Sequence, residues 1–259
     1  TPERPVTRGT AENPETFFTH REACNAYYDA IPDVVEHYLG EISKITGREY
    51  HNFSYYGAED AENIIILMGS ATEAAREAID HLVAEGKKVG MVAVHLYRPF
   101  SVKYLFAAVP ETVKKIAVLD RTKEPGAEGE PLYLDVKSAF YEKENRPVIV
   151  GGRYGLGSAD ITPAKIISVF NNLELPEPKN HFTVGIVDDV TFTSLPAVEE
   201  MALGGKSIYE AKFFGLGADG TVGANKNSVK IIGDNTDKHC QAYFSYDSKK
   251  SGGFTCSHL

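Results

Sequence analysis

Three cysteines in 259 residues, Cys24, Cys240 and Cys256, are too few and too scattered to staple a fold. None stands in a C-x-x-C pair, so neither a disulfide framework nor a zinc or iron–sulfur site is indicated. No apolar run approaches the ~20 residues of a membrane span. The N-terminal residues hold no apolar core of a signal peptide. Basic side chains are in the minority, 27 Lys and Arg against 36 Asp and Glu, for a net charge of −9. Non-specific nucleic-acid binding, which needs clustered cations to neutralise phosphates, is not expected. These shortages point to a soluble chain of a reducing cytoplasm, with no nucleic acid and no membrane among its partners. The eight histidines are dispersed and show no i, i+4 pair, and no Ser or Cys has a nucleophile-elbow context. No metal site and no catalytic triad is expected from them.

What is present is a rhythm. Asn63 to Ser70 is a continuous apolar run closed by Gly-Ser, the pattern of a strand buried on both faces. Ala71 to Glu85 follows with Ala75, Ala78, Ile79 and Leu82 on one helical face and Gly86 as its stop. Lys88–Tyr97, Lys115–Leu119 and Pro147–Gly151 read as further strands, and Phe100–Val109, Pro131–Tyr141 and Ala164–Leu173 as helices. Pro163 opens the last of these at a first-turn position. Alternating strands and helices imply an α/β fold, a mostly parallel sheet with helices on both faces. His181–Val187 reads as one more strand.

Before this core, residues 1–30 are polar and read as an extended lead-in. A helix is expected from Pro32, with Val34, Val35, Tyr38, Leu39 and Ile42 at helical spacing and Gly47 as its end. The aromatic stretch Tyr50–Gly57 is expected to cover an edge of the sheet. The division expected is 1–60 as lead-in and packing helix, 61–195 as the first domain, 196–206 as linker, and 207–259 as an incomplete second α/β unit. About fifty residues are marginal for an independent core.

The second unit carries four glycines in nine residues, Gly215, Gly217, Gly220 and Gly223, followed by Lys226 and Ser228. After a strand-like Ile208–Phe213, this reads as strand, glycine turn and helix N-terminus. Unpaired N–H groups and the helix dipole converge on an anion at such a place. The spacing is neither a P-loop nor a strict dinucleotide fingerprint. Two readings stand, a cradle for phosphate or pyrophosphate and a tight structural turn. Lys249-Lys250-Ser251-Gly252-Gly253 is likewise either a hairpin tip or a second phosphate contact.

In open α/β sheets ligands sit outside the carboxyl ends of the strands. Arg98, Arg121, Lys123 and Arg153 fall there, in the segments after three successive strands. They form either an anion or docking rim, or a set of bases that pair with Asp120 and Glu124 and stiffen the loops.

Several segments resemble one family. They are Pro5-Val6-Thr7-Arg8-Gly9-Thr10-Ala11, Leu96 to Phe100, Val118 to Gly126, Gly151 to Ser158, Asp188 to Pro196, the glycine loop, and Ala242 to Gly253. Across nearly the whole chain they are similar to the pyruvate:ferredoxin (or flavodoxin) oxidoreductases, the pyruvate synthases. The resemblance implies an internal piece of a longer enzyme. That enzyme decarboxylates pyruvate on thiamine diphosphate with Mg2+, passes electrons through [4Fe–4S] clusters to ferredoxin or flavodoxin, and forms acetyl-CoA as a homodimer. It implies that the first unit is like the C-terminal domain of transketolase, and that the second is the opening of a gamma-type domain associated with coenzyme A. Residues 217–226, among them Gly217, Asp219, Gly220, Thr221, Gly223, Asn225 and Lys226, would then face the pyrophosphate. Lys249, Lys250 and Ser251 would face a further phosphate. The chain begins at Thr1-Pro2, stops just after a strand-like run, and reads as an excised piece with no thiamine or cluster ligands of its own. It is expected to be inactive alone.

Two other readings stand beside this. One is a module for dimer or inter-domain packing that binds no ligand. The other is a keto-acid dehydrogenase relative with its own thiamine. That relative would need Gly-Asp-Gly followed by Asn-Asn, and Asn171-Asn172 has no such upstream partner.

Overall fold

A computed structural model describes residues 1–6, 11–201, 208–217, 219–246 and 253–259. The chain divides into two compact units, Thr1–Met201 and Ala202–Leu259. The first runs through α1 (Pro14–Ala23), α2 (Asn25–Thr46), β1 (Phe53–Gly57), β2 (Asn63–Met68), α3 (Ala71–Ala84) and β3 (Val89–Val94). It continues with α4 (Val102–Ala108), β4 (Lys115–Asp120), α5 (Pro131–Ala139), β5 (Val148–Arg153), α6 (Pro163–Glu174) and the two-residue β6 (Phe182–Thr183). The second holds β7 (Lys212–Leu216), α7 (Thr221–Asn235), β8 (Tyr243–Tyr246) and β9 (Phe254–His258).

The six strands of the first unit lie in the order β1-β3-β2-β4-β5-β6. All pair in parallel except β1, which runs antiparallel to β3. Side chains alternate across a strand, and both faces of β2 are apolar, so two cores form. Ile65, Leu67, Met91, Ala117 and Leu119 pack with α3 and α6 through Ala75, Ile79, Ile166 and Phe170. Ile64, Ile66, Val92, Ile116 and Val118 pack on the other face with α4 and α5 through Leu105, Leu132, Tyr133 and Val136. Full burial of each large aliphatic side chain contributes about 1.5–3 kcal/mol.

The expected helices and parallel strands of the core are all present. The N-terminal segment differs. Residues 14–23 are helical, and α2 starts at Asn25, seven residues before Pro32, which lies inside it. Proline removes one N–H from the helix ladder, and that signal misplaced the start. Gly47 ends the helix as expected, in the left-handed region at φ 70°. Tyr50–Gly57 does lie at the sheet edge, but as a strand, with Phe53 opposite Val94 and Gly57 opposite Gly90. The expected strand 181–187 shrinks to Phe182–Thr183 beside Gly152 and Arg153.

Candidate functional site

At the carboxyl ends of the parallel strands the four predicted cations are placed one by one. Arg98 is ion-paired with Asp135 at 2.6 Å, and its guanidinium lies 3.9 Å from the centre of the Tyr97 ring. Tyr97 donates to the same carboxylate at 3.0 Å. Burial, and then that hydrogen bond, push the phenol up to about 12. Arg121 donates through Nε to the Gly155 carbonyl at 3.1 Å. Gly155 is at φ 68°, and a Cβ there would stand 2.8 Å from that Nε. Glycine alone admits both the conformation and the contact. Arg153 is turned inward and buried, donating to the His181 carbonyl at 2.5 Å and to Thr193 Oγ1 at 3.3 Å. Lys123 is exposed, and among the described residues its ammonium donates to the Glu124 carbonyl alone, at 3.5 Å.

The expected pairing of Asp120 with these bases is corrected. Its buried carboxylate accepts the N–H groups of Leu132 and Tyr133, 3.0 Å each, at the N-terminus of α5. Unsatisfied amides and a positive dipole end lie there, so a carboxylate from the preceding strand end fits the place. Burial outweighs the two amides and raises its pKa. The strand order turns between β2 and β4, where an open sheet offers its ligand crevice. The buried Tyr154 donates its hydroxyl across that place to the Met68 carbonyl at 3.3 Å. The strand ends of the first unit are thus occupied by the protein's own side chains.

In the second unit the glycine stretch does connect a strand to a helix N-terminus. The strand is shifted from the expectation: it is Lys212–Leu216, and Gly215 lies within it. Gly217 and Gly220 take φ 62° and 88°, and Gly220 stands at the N-cap of α7. Asp219 Oδ2 accepts the Leu216 amide and Oδ1 the Thr221 amide, 3.0 Å each. The Thr221 hydroxyl and amide, with the Leu216 amide, hold this carboxyl below its usual range. A Cβ on Gly215 would collide with Thr221 Oγ1 and stand 2.5–2.6 Å from the Asp219 carboxylate, so that glycine makes room for the carboxylate to fold back.

Asp219 is turned back onto its own loop, where an ionised carboxylate places negative charge beside these amides. Asn225 faces the sheet: it is fully buried, and Nδ2 donates to the His258 carbonyl at 3.4 Å while Oδ1 has no partner among the described residues. The exposed Lys226 places its ammonium 5.4 Å from the Phe244 ring centre. The geometry brings Gly217, Gly220, Thr221 and Gly223 to one turn, with the Val222 and Gly223 amides in a first turn that has no helical acceptors for them. Lys249, Lys250 and Ser251 lie outside the described residues. β8 and β9 pair antiparallel up to Tyr246 and Thr255.

A further polar centre was not singled out from the sequence. Asp188 accepts the amides of Val190, Thr191 and Thr193 and the hydroxyls of Thr191 and Thr193. The hydroxyl and amide of Thr191, then those of Thr193, hold its carboxyl far below the usual range. The signal was legible as an Asp followed by threonines at +3 and +5, the residue types of Asx turns. Among the described residues, no three His, Cys, Asp or Glu side chains converge as a ligand set, and no helix is long and apolar enough to cross a membrane.

Residues 61–166, which hold β2 to β5 and the strand-end cluster, match the family model described as pyruvate:ferredoxin oxidoreductase core domain II. The chain is similar over its whole length to the pyruvate:ferredoxin and pyruvate-flavodoxin oxidoreductases. It is 60% identical over 259 residues to the pyruvate-flavodoxin oxidoreductase of Enterobacter agglomerans and 54% identical over 258 residues to the pyruvate:ferredoxin oxidoreductase of Moorella thermoacetica. In both cases the match covers 100% of this chain and 22% of the relative. The chain thus spans less than a quarter of the length of these relatives. Among solved structures, a 2-oxoglutarate:ferredoxin oxidoreductase from Magnetococcus marinus, with 2-oxoglutarate, coenzyme A and succinyl-CoA bound, is similar at 27% identity and a TM-score of 0.37. That match covers 47% of this chain and 19% of the other.

Proposed function

We propose that this chain serves within an enzyme that oxidatively decarboxylates pyruvate to acetyl-CoA and passes the electrons to ferredoxin or flavodoxin. The observation that carries this reading is the 60% identity sustained from end to end of the chain. In this reading residues 61–195 are a transketolase C-terminal-like domain, 196–206 a linker and 207–259 the opening of a gamma-type domain. The enzyme works in the cytoplasm as a homodimer. Thiamine diphosphate, Mg2+ and [4Fe–4S] clusters belong to other parts of it. The strand ends of the first unit support a scaffolding role, since Arg98, Arg121, Arg153, Asp120 and Tyr154 are each engaged with a neighbour.

For coenzyme A, the groups suited to hold a phosphate are the free amides at the start of α7, reached past Gly220 and Gly223, where an added Cβ would meet open space. Lys226, and Lys249, Lys250 and Ser251 of the hairpin, would add charge and hydroxyl. A second reading, a ligand-free packing module, is favoured by Asp219, which already supplies an anion to this turn.

Calorimetric titration with coenzyme A and with desulfo-coenzyme A separates the two readings, because both ligands carry the same phosphates. Phosphate binding predicts similar affinities for the two. It also predicts weaker, less salt-dependent binding in Lys226→Ala, where one screened contact is lost, and abolished binding in Gly220→Val, whose β-branched side chain resists φ 88°. No heat with either ligand, or unchanged binding in Gly220→Val, leaves the loop as a structural turn.

A further inference from the structure

Among the described residues, the hydrogen bonds that tie helix α2 to the sheet edge and to α4 lie along one side of it. Glu36 accepts from His51 Nδ1 at 2.6 Å and from the Asn52 amide at 2.9 Å, and Asn52 Nδ2 donates to the Pro32 carbonyl at 2.8 Å. Ser43 Oγ accepts the Tyr50 amide at 2.9 Å, and Asp33 accepts from Lys103 at 2.8 Å and Tyr104 at 2.7 Å. These bonds tie the Pro32, Glu36 and Ser43 side of the helix to the edge strand β1 and to α4, with Val35 and Leu39 half-buried beside them.

A different side carries Tyr27, Ile31, Val34, Tyr38, Ile42 and Ile45. Their mean spacing is that of a straight α-helix, so the stripe stays on one face for the 22 residues of α2. It contains no charge. Exposure is 78% at Tyr27, 50% at Val34, 62% at Tyr38, 44% at Ile42 and 85% at Ile45. Together these side chains present roughly 600 Å² of apolar surface, at the upper end of the largest patch on a typical monomer. A stripe of this spacing and width is what one helix offers to the ridges of another helix.

We propose that the Tyr27–Ile45 stripe of α2 is the surface on which a further domain of a longer polypeptide packs, through an apolar helix face of its own. The occupant follows from length: relatives that match this chain from end to end carry most of their polypeptide outside the matched span. The inference rests on the reading that the chain works within such a polypeptide, and is independent of the coenzyme A contact.

The test compares the chain alone with the same chain exchanged for its matching span in the Enterobacter agglomerans pyruvate-flavodoxin oxidoreductase. Hydroxyl-radical footprinting, mapped by peptide mass spectrometry, reads the native Tyr27, Tyr38 and Ile45 without any substitution. The expected result is rapid oxidation in the chain alone at every dilution, and at least about fivefold slower oxidation in the chimera. The exposed Tyr141 of the α5 end serves as the internal reference. Equal rates in the two proteins overturn the proposal. Protection in the chain alone that disappears on dilution also overturns it, since a second copy would then be the occupant. Ile45→Lys supplies the energetic arm: an unchanged melting transition of the chain and impaired assembly of the chimera are expected, and normal assembly counts against the proposal. Pyruvate-dependent flavodoxin reduction by the unsubstituted chimera reports separately on the functional reading.

Discussion

In the first unit the central strands carry apolar side chains on both faces, and helices cover both; in the second, three strands in the order β7-β9-β8 have one helix to lie against them among the described residues. Register places Phe214 opposite Cys256 and Leu216 opposite Phe254, so these residues share a face. Phe214, Leu216, Tyr243 and Phe254 are all exposed. The opposite face buries Gly215, Thr255 and Ser257 against Asn225 of α7, and Asn225 Oδ1 and Ser257 Oγ find no partner among the described residues. A buried polar atom without a hydrogen bond costs about 1–3 kcal/mol. The first unit is thus stabilised by area removed from water. The second leans on strand pairing and local turn chemistry, and its largest apolar side chains contribute little to its own core.

The sharpest way to break this comparison is to put one charge into each sheet. Ile65→Asp leaves an unpaired carboxylate between β2, α3 and α6, where the cost is several kcal/mol, on the order of a domain's whole stability. Circular dichroism should show the first unit unfolded at room temperature. An unchanged melt would mean that the strand is not buried.

A smaller effect is expected from Asp120→Asn. One of the Leu132 and Tyr133 amides then faces an NH2 group, and leaving it unsatisfied costs about 1–3 kcal/mol, read as a lowered melting temperature. The pH dependence has a sign. The folded pKa of Asp120 is raised, so its contribution is full below the ordinary carboxylate range and declines as pH rises through the folded value. The deficit of Asp120→Asn should be largest in acid and shrink toward neutrality.

Asp188 titrates in the opposite sense. Its depressed folded pKa contributes stability above the ordinary carboxylate range, lost only as pH falls through the lower folded value. Hydrogen exchange at the Thr191 and Thr193 amides should stay slow through mild acid in the wild type and be fast at all pH in Asp188→Ala. Slow exchange in that variant would show that other contacts hold the loop.

The smallest effect belongs to the second sheet. Leu216→Lys, at a side chain 78% exposed, should shift stability by no more than about 0.5 kcal/mol. A large loss there would mean that the open face is covered.

Much of the first unit was legible because its signals are local. Ile64–Met68 is apolar without interruption, Ala75, Ala78, Ile79 and Leu82 repeat at helical spacing, and Thr162-Pro163 marks a helix start. The start of α2 was missed because Pro32 carries a strong local signal that tertiary docking overrides. The strand β1 was placed at an edge without its backbone partner, since antiparallel pairing with β3 joins residues 33 to 41 positions apart. At the candidate site the turn itself was readable from Gly217 and Gly220, yet the direction of each side chain was not. Asn225 and Lys226 are adjacent in sequence and point to different places, one beneath the sheet and one over Phe244.

By itself, then, the sequence determined the alternation of strands and helices, the two-faced burial of β2, β3 and β4, and the glycine turn before α7, because periodicity and backbone freedom are properties of neighbouring residues. Only the tertiary structure decided that Asp120 serves the amides of α5, that Arg153 turns inward and that Asp219 folds back on its own loop. The physical reason is that a charged side chain takes whichever partner the packed elements bring within about 3 Å, and for Asp120 and Arg153 that partner lies twelve or more residues away along the chain.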